Sequence, residues 1–312
     1  MRVAVVGLGV QGTKRARIAA GDVVATVDPE NKAAQYRDIA EVPLDAYDAV
    51  LACVPDAAKL GLLTYLIGDG KHVLVEKPLA DGGGKEIAAL QALARQKGAV
   101  CYTAYNHRFE PHFLRMRDLV ASGELGRIYR CRMFYGNGTA RLVRESNWRD
   151  EGSGVLGDLG SHLLDTLLFW FGEAALEGLE LVSADRFENA APDHVVLGST
   201  TASPRCELEM TLLMWRKHFT CDVLAEEGSA HISSLCKWGP ATFIRRRRVL
   251  PSGRPPEERV TLVQDDPTWQ AEYDYFKELI AAKAQTDLSR DILIDGLLER
   301  LGAACCAQGA GG

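Results

Sequence analysis

Residues 2–28 read RVAVV, GLGVQG, TKRARIAAGD and VVATVD in unbroken succession. The first block is short and β-branched, the second is rich in glycine, and the third carries helix formers as far as Gly21. Strand, tight loop, helix and strand are expected in that order. Gly7 suits the turn, Gly9 leaves the backbone open to a pyrophosphate, and Gly12 allows close helix packing. The helix N-terminus then meets a dinucleotide's phosphates across Leu8, Val10 and Gln11. The second strand ends in Asp28, about 20 residues past the first glycine, where a carboxylate accepts hydrogen bonds from an adenosine ribose. That carboxylate repels a 2′-phosphate, and Pro29-Glu30-Asn31 puts no arginine beside it, so NAD is expected ahead of NADP. Lys14, Arg15 and Lys32 keep NADP open as nearby cations. The structural alternative for Asp28 is to cap a following helix.

The alternation continues through AVLACVP (49–55), DAAKLGLLTYLIGDG (56–70), HVLVEKP (72–78), GKEIAALQALARQKG (84–98) and AVCYTAY (99–105). Strands alternating with helices imply a doubly wound parallel sheet of the α/β class. Ligands on such sheets lie beyond the carboxyl ends of the strands, which puts Val54-Pro55, Glu76-Lys77-Pro78 and Asn106-His107-Arg108 on one rim. The expected division is a dinucleotide-binding unit over 1–106 and a second unit over 107–312, with a C-terminal helix packed back on the first.

The chain's 312 residues leave room for two domains of roughly 150 residues each. At 47% hydrophobic and 25% charged residues, disordered, collagen-like and coiled-coil classes are excluded. The formal charge of −6 argues against nucleic acid as a partner. Eight scattered cysteines show no zinc spacing and read as free thiols, and with no signal segment the chain is assigned to a reducing cytoplasm. Val155 to Phe171 is the most membrane-like run, yet Asp158, His162 and Asp165 interrupt it, so no membrane association is expected.

Those three residues recur at i, i+4 and i+7 from within the glycine-rich GSGVLGDLG onward, and so share one helix face. His162 moves a proton near neutral pH, Asp158 orients or charge-balances a neighbour, and Asp165 fixes an imidazole tautomer or braces the helix. No second His or Cys cluster completes a metal set, so no metal is expected. Lys77 closes an apolar strand just before Pro78, which restricts its direction. A lysine there, beside a cationic ring, suits the removal of an alcohol's proton.

Beyond Arg108 a helix at PHFLRMRDLVASG precedes a strand-dominated region, with helices returning at TWQAEYDYFKELIAAK and DILIDGLLERLGAAC. Arg245 to Arg248 read as a solvated edge strand, because consecutive residues in a strand point to both faces.

GLGVQG, VEKPL (75–79), YNHRF (105–109) and WRDEGSGVLGDLGSHLLD (148–165) occur in an order and spacing that resemble the Gfo/Idh/MocA oxidoreductases over nearly the whole chain. The resemblance implies an N-terminal Rossmann domain and a C-terminal α+β domain built on an open, largely antiparallel sheet. It implies that Lys77, Asp158 and His162 surround substrate and nicotinamide, that Cys53, Val54, Pro55 and Glu76 line the cofactor, and that the Lys77–Pro78 bond is cis. Asn106, Arg108, Trp148 and Arg149 are further candidates for substrate contacts. The implied activity is hydride transfer between NAD(P) and a secondary alcohol or ketone of a sugar, cyclic polyol or sugar derivative. The proton passes through Lys77 or His162, and the sheet often serves a homo-oligomer, a dimer or tetramer. Dihydrodiol oxidation, bilin reduction and non-catalytic NAD(P) sensing are the alternatives on this scaffold. One departure stands out: Asp56-Ala57-Ala58-Lys59 follows Pro55 where the family commonly has Asn-x-x-His.

Overall fold

A computed structural model describes residues 1–80, 83–146 and 150–309. The chain divides into two compact units, Met1–Asn106 with Thr268–Gly296 and His107–Pro267 with Leu297–Gly312. Residues 268–296 therefore group with the first unit rather than with 107–267.

In the first unit β1 (Val3–Val6), α1 (Val10–Ala19), β2 (Val23–Val27), β3 (Ala49–Ala52), α2 (Asp56–Gly68), β4 (His72–Glu76), α3 (Gly84–Lys97) and β5 (Cys101–Ala104) follow one another. The five strands are parallel in the order β2-β1-β3-β4-β5. The strand order reverses between β1 and β3, the place where open α/β sheets bind their ligands. No α-helix joins β2 to β3, and only short 3-10 turns at Ile39–Glu41 and Leu44–Ala46 interrupt that connection.

The second unit runs through α4 (Pro111–Ala121), β6 (Ile128–Gly136), α5 (Ala140–Arg144), α6 (Ser161–Phe171), β7 (Leu179–Asp185), β8 (His194–Ser199), β9 (Arg205–Thr211), β10 (His218–Ala225), β11 (Gly228–Ser233), β12 (Ala241–Arg247) and β13 (Glu257–Leu262). Its eight strands form one open sheet ordered β13-β12-β11-β10-β6-β9-β8-β7. Every neighbouring pair is antiparallel except β6 with β9. α7 (Thr268–Ala281) belongs to the first unit, and α8 (Ser289–Gly309) closes the chain.

Alternation along the parallel strands explains their unbroken apolar sequence. Val3, Val5, Ala49, Leu51 and Leu74 pack with Tyr273 and Phe276 on one face. Ala4, Val6, Val50, Val73 and Val75 pack with Leu63, Leu66, Ile87 and Leu90 on the other. With both faces covered, the strand positions that point into these clusters are apolar. Each fully buried aliphatic side chain contributes about 1.5–3 kcal/mol.

The arginine run departs from its expected place. β12 lies one strand in from the edge, because the turn-rich segment after it returns as β13 and pairs Arg245 with Glu258 and Arg246 with Glu257. Arg245 also bonds Glu124 at 2.8 Å and Arg246 bonds Glu257 at 3.0 Å, so carboxylates occupy these cations. All eight cysteines are free thiols, and no helix of the described residues is long and apolar enough to cross a membrane.

Candidate functional site

In the first unit the site begins at the glycine loop. Gly7 has φ +88°, and a Cβ there would stand 2.3 Å from the carbonyl oxygen of Cys53. A Cβ on Gly12 would stand 1.7 Å from the Gly7 carbonyl oxygen, so α1 starts against the loop only because both residues are glycine. Gly9 is the opposite case, because a Cβ there would meet nothing within 4 Å. It is also the N-cap of α1 and carries no side-chain cap, which leaves the helix N-terminus to an anion. Val10 is among the most exposed apolar residues, at 86%.

Asp28 ties the end of β2 to this loop. One carboxylate oxygen accepts from Leu8 N at 2.6 Å, and the other accepts from Glu30 N at 2.9 Å and Asn31 N at 2.7 Å. Asp28 thus caps a turn, since no α-helix follows β2. Burial alone would raise its pKa, but these three N–H groups and the nearby Arg37 hold it below the usual aspartate value. Arg37 Nη1 donates to the carbonyls of Asp28 at 3.2 Å and Asn31 at 2.8 Å. The expectation of no arginine beside Asp28 is corrected here. The chain folds back after Asn31 and bridges Tyr36 to Val27, which returns residue 37 to the strand end.

Arg15 faces inward. Its side chain is only 2% exposed and meets Glu76 at 2.8 Å and Glu272 at 2.7 Å. Desolvation would lower its pKa, yet the two carboxylates more than compensate and fix the positive charge. Arg15 is therefore committed to carboxylates, which removes it from the cations expected to neutralise a 2′-phosphate. Lys14 lies over the Trp269 ring, 3.9 Å from its centroid. Asn106 is buried and donates through Nδ2 to Thr268 Oγ1 at 2.8 Å.

Glu76 ends β4, and Lys77 follows with a cis bond to Pro78. Lys59, the departure from the family pattern, is 1% exposed; its Nζ donates to the Pro78 carbonyl and pairs with Asp56 at 2.6 Å. Burial pushes the Lys59 ammonium below its ordinary pKa, Asp56 opposes that, and the charge of Lys77 adds to it. A buried cation therefore braces the turn that presents Lys77.

In the second unit Leu156–Gly160 winds as a π-helical turn before α6 begins at Ser161. The expected single α-helical face is thus wider-wound at Asp158, a feature frequent at functional sites. His162 is buried and stacks on His107, with ring centroids 4.1 Å apart and planes at 19°. Burial raises the Tyr135 hydroxyl above its ordinary pKa, and the charge of Asp158 adds to that rise. Asp165 is held by Arg108, whose Nε stands 2.9 Å from one carboxylate oxygen while Nη2 reaches the other. Arg108 thus braces α6 through Asp165. Trp148 and Arg149 lie outside the described residues.

Sequence reasoning missed Arg37, Glu272 and Lys237. Lys237 Nζ stands 3.2 Å from His107 Nε2 across 130 residues of chain, a contact with no local sequence signal. His107 sits inside YNHRF and was legible as a motif position, though not as a partner of His162. Among the described residues no group of three or more His, Cys, Asp or Glu side chains is arranged to hold a metal ion. The uncapped helix end, the open Gly9 and the Asp28 carboxylate fit a dinucleotide's pyrophosphate and ribose.

Comparison with known proteins agrees with this geometry. Residues 1–105 match the family described as "Oxidoreductase family, NAD-binding Rossmann fold", and residues 113–231 match the "GFO/IDH/MocA C-terminal domain". Trans-1,2-dihydrobenzene-1,2-diol dehydrogenase of Oryctolagus cuniculus is 28% identical over 230 residues, 72% of this chain and 66% of that protein. The scyllo-inositol 2-dehydrogenase (NADP(+)) IolW of Bacillus subtilis (strain 168) is 30% identical over 130 residues, 41% of this chain and 36% of that protein. The matches thus span less than two thirds of these curated relatives' lengths. A levoglucosan dehydrogenase solved in complex with NADH superposes with a TM-score of 0.83 at 17% identity, covering 98% of this chain and 97% of that one, and so shares the fold. With a family match on each side of residue 106 and the parallel and open sheets both in place, the chain belongs to the Gfo/Idh/MocA oxidoreductase family, its first unit an NAD-binding Rossmann fold.

Proposed function

We propose that this protein oxidises a secondary alcohol, or reduces the matching ketone, on a sugar, cyclic polyol or sugar derivative, using NAD(P). Bound at the glycine loop with its ribose at Asp28, the nicotinamide dinucleotide supplies a two-electron hydride acceptor or donor. Leu8 to Gly12 hold the pyrophosphate on the α1 N-terminus, and Cys53 to Pro55 with Glu76 form the adjoining rim. Lys77 or His162 takes the hydroxyl proton in oxidation and returns it in reduction. Asp158 orients and charge-balances that pair, and Asn106, Arg108, Trp148 and Arg149 are assigned to substrate contacts.

The observation that carries this reading is the buried His162 next to the Asp158 turn. An NAD(P)-sensing protein requires the glycine loop but no proton-transfer set. A ring diol of lower polarity is the second reading, favoured by the aromatic surroundings: His107 lies 5.7 Å from Phe113, and Tyr135 lies 5.7 Å from Trp238.

The test is absorbance-monitored nicotinamide reduction with inositols, aldoses, sugar acids, nucleotide sugars and a trans-dihydrodiol, each with NAD and NADP. Turnover that disappears in Lys77→Ala or His162→Asn, with NADH affinity retained, supports the reading. Silence across the panel despite measurable NADH binding overturns it in favour of sensing.

A further inference from the structure

His107 is 1% exposed and occupies the centre of the second unit's polar cluster, yet the proposed reaction gives it no task. One ring face stacks on His162 at 4.1 Å, and Phe113 and Tyr135 lie 5.7 Å and 5.5 Å from it. Its Nε2 meets Lys237 Nζ at 3.2 Å. An ammonium has hydrogens to donate and no lone pair, so this contact requires an unprotonated Nε2 on His107. His107 is then the neutral Nδ1–H tautomer, assigned from its partner.

Lys237 is itself anchored. It lies in the 3-10 turn Cys236–Trp238, whose first residue bonds the buried Glu110 carboxylate through N at 2.9 Å and Sγ at 3.0 Å. The cation is thus held against one side of His107, with His162 stacked on the ring.

We propose that Lys237, acting through His107, is a positioning residue that keeps the His162 imidazole neutral and able to accept a proton from a substrate hydroxyl. A stacked neutral imidazole offers no counter-charge to an imidazolium, and the nearby ammonium opposes a second positive charge. Other charged groups in this unit act alongside it. Asp158, one turn before His162, favours the protonated form, Asp165 is matched by Arg108, and the Glu110 carboxylate tempers Lys237. Tyr135 facing the rings stays protonated, because its pKa is raised. The inference rests on the reading of His162 as a proton-handling residue.

The test is a proton NMR titration of the full chain with ¹³C-labelled histidine, in which His162→Gln assigns one of the 7 histidine signals. In Lys237→Met the His162 midpoint should rise by about one pH unit or more, while Lys237→Arg keeps it near wild type. Lys237→Gln serves as the second neutral variant should the methionine chain fail to fold. With a substrate from the panel, the acid limb of kcat/KM should move to higher pH in step with the titration. A purely structural Lys237 would lower the Tm and leave the His162 midpoint unchanged in both neutral variants, which overturns the proposal. The titration needs no substrate, so a shifted midpoint without turnover condemns only the proposed reaction. Turnover with an unmoved midpoint condemns only the role of Lys237.

Discussion

Arg15 and Glu76 meet at 2.8 Å inside the first unit, joining the helix that follows the glycine loop to the residue that precedes Lys77. Glu272 completes the group at 2.7 Å. Arg15→Met leaves two carboxylates without their cation, and removing one partner of a buried ion pair costs about 3–5 kcal/mol. Urea denaturation of the isolated variant should show that loss. A change under about 1 kcal/mol would mean that water or another cation replaces Arg15.

Asp28 and the nearby Arg37 lie together at the end of β2, where the proposed ribose contact is made, and so offer a test of dinucleotide preference. Asp28→Asn should weaken NADH binding roughly tenfold, about 1.4 kcal/mol, and weaken NADPH binding less. Arg37→Ala should reverse the pattern, costing NADPH roughly tenfold and NADH little. Calorimetric titration of both variants with both dinucleotides checks this. Because the Asp28 pKa is depressed, its stabilising contribution is complete above the ordinary aspartate value and is lost as pH falls through the folded value.

Glu110 carries the opposite sign. Burial raises its pKa, against the opposing N–H and S–H of Cys236 and the charge of Lys237. Between the ordinary glutamate value and the raised one the folded chain binds more protons than the unfolded chain, so this group makes stability fall as pH rises. Glu110→Gln should therefore gain on wild type as pH rises above the ordinary glutamate value, read as the difference in urea midpoints. Parallel midpoint curves for the two proteins would contradict the assignment.

Lys59 offers a test of how the Lys77 turn is held. Lys59→Met removes the donor to the Pro78 carbonyl while keeping the apolar stem in its buried place. The expected result is a kcat roughly tenfold lower, about 1.4 kcal/mol in barrier, with NADH affinity and Tm close to wild type. A change confined to KM would assign Lys59 to substrate binding instead.

Much of this protein was legible along the chain because its signals are local. Strand, glycine loop, helix and acid follow within residues 2–28, and the contacts that use them close over short distances, as when Leu8 N meets Asp28 at 2.6 Å. Strands alternating with helices announced a doubly wound parallel sheet, and the YNHRF and WRDEGSGVLGDLGSHLLD stretches marked Asn106, Arg108, Asp158 and His162 as candidate site residues. Periodicity failed where backbone geometry changed. The π turn at Leu156–Gly160 and the inward place of β12 depend on neighbours that a single strand or helix does not carry.

Sequence by itself determined the alternating architecture, the glycine loop with its acid, and the residue types able to move a proton, because each follows from backbone propensity and spacing. Tertiary structure alone decided which polar groups meet: Arg15 with Glu76 and Glu272, Arg37 with the turn after β2, Arg108 with Asp165, and Lys237 with His107. The physical reason is range. A propensity acts over a few residues, whereas a buried charge is stabilised only by a partner within a few ångströms, and the fold brings Glu76 to the buried Arg15 from 61 residues away.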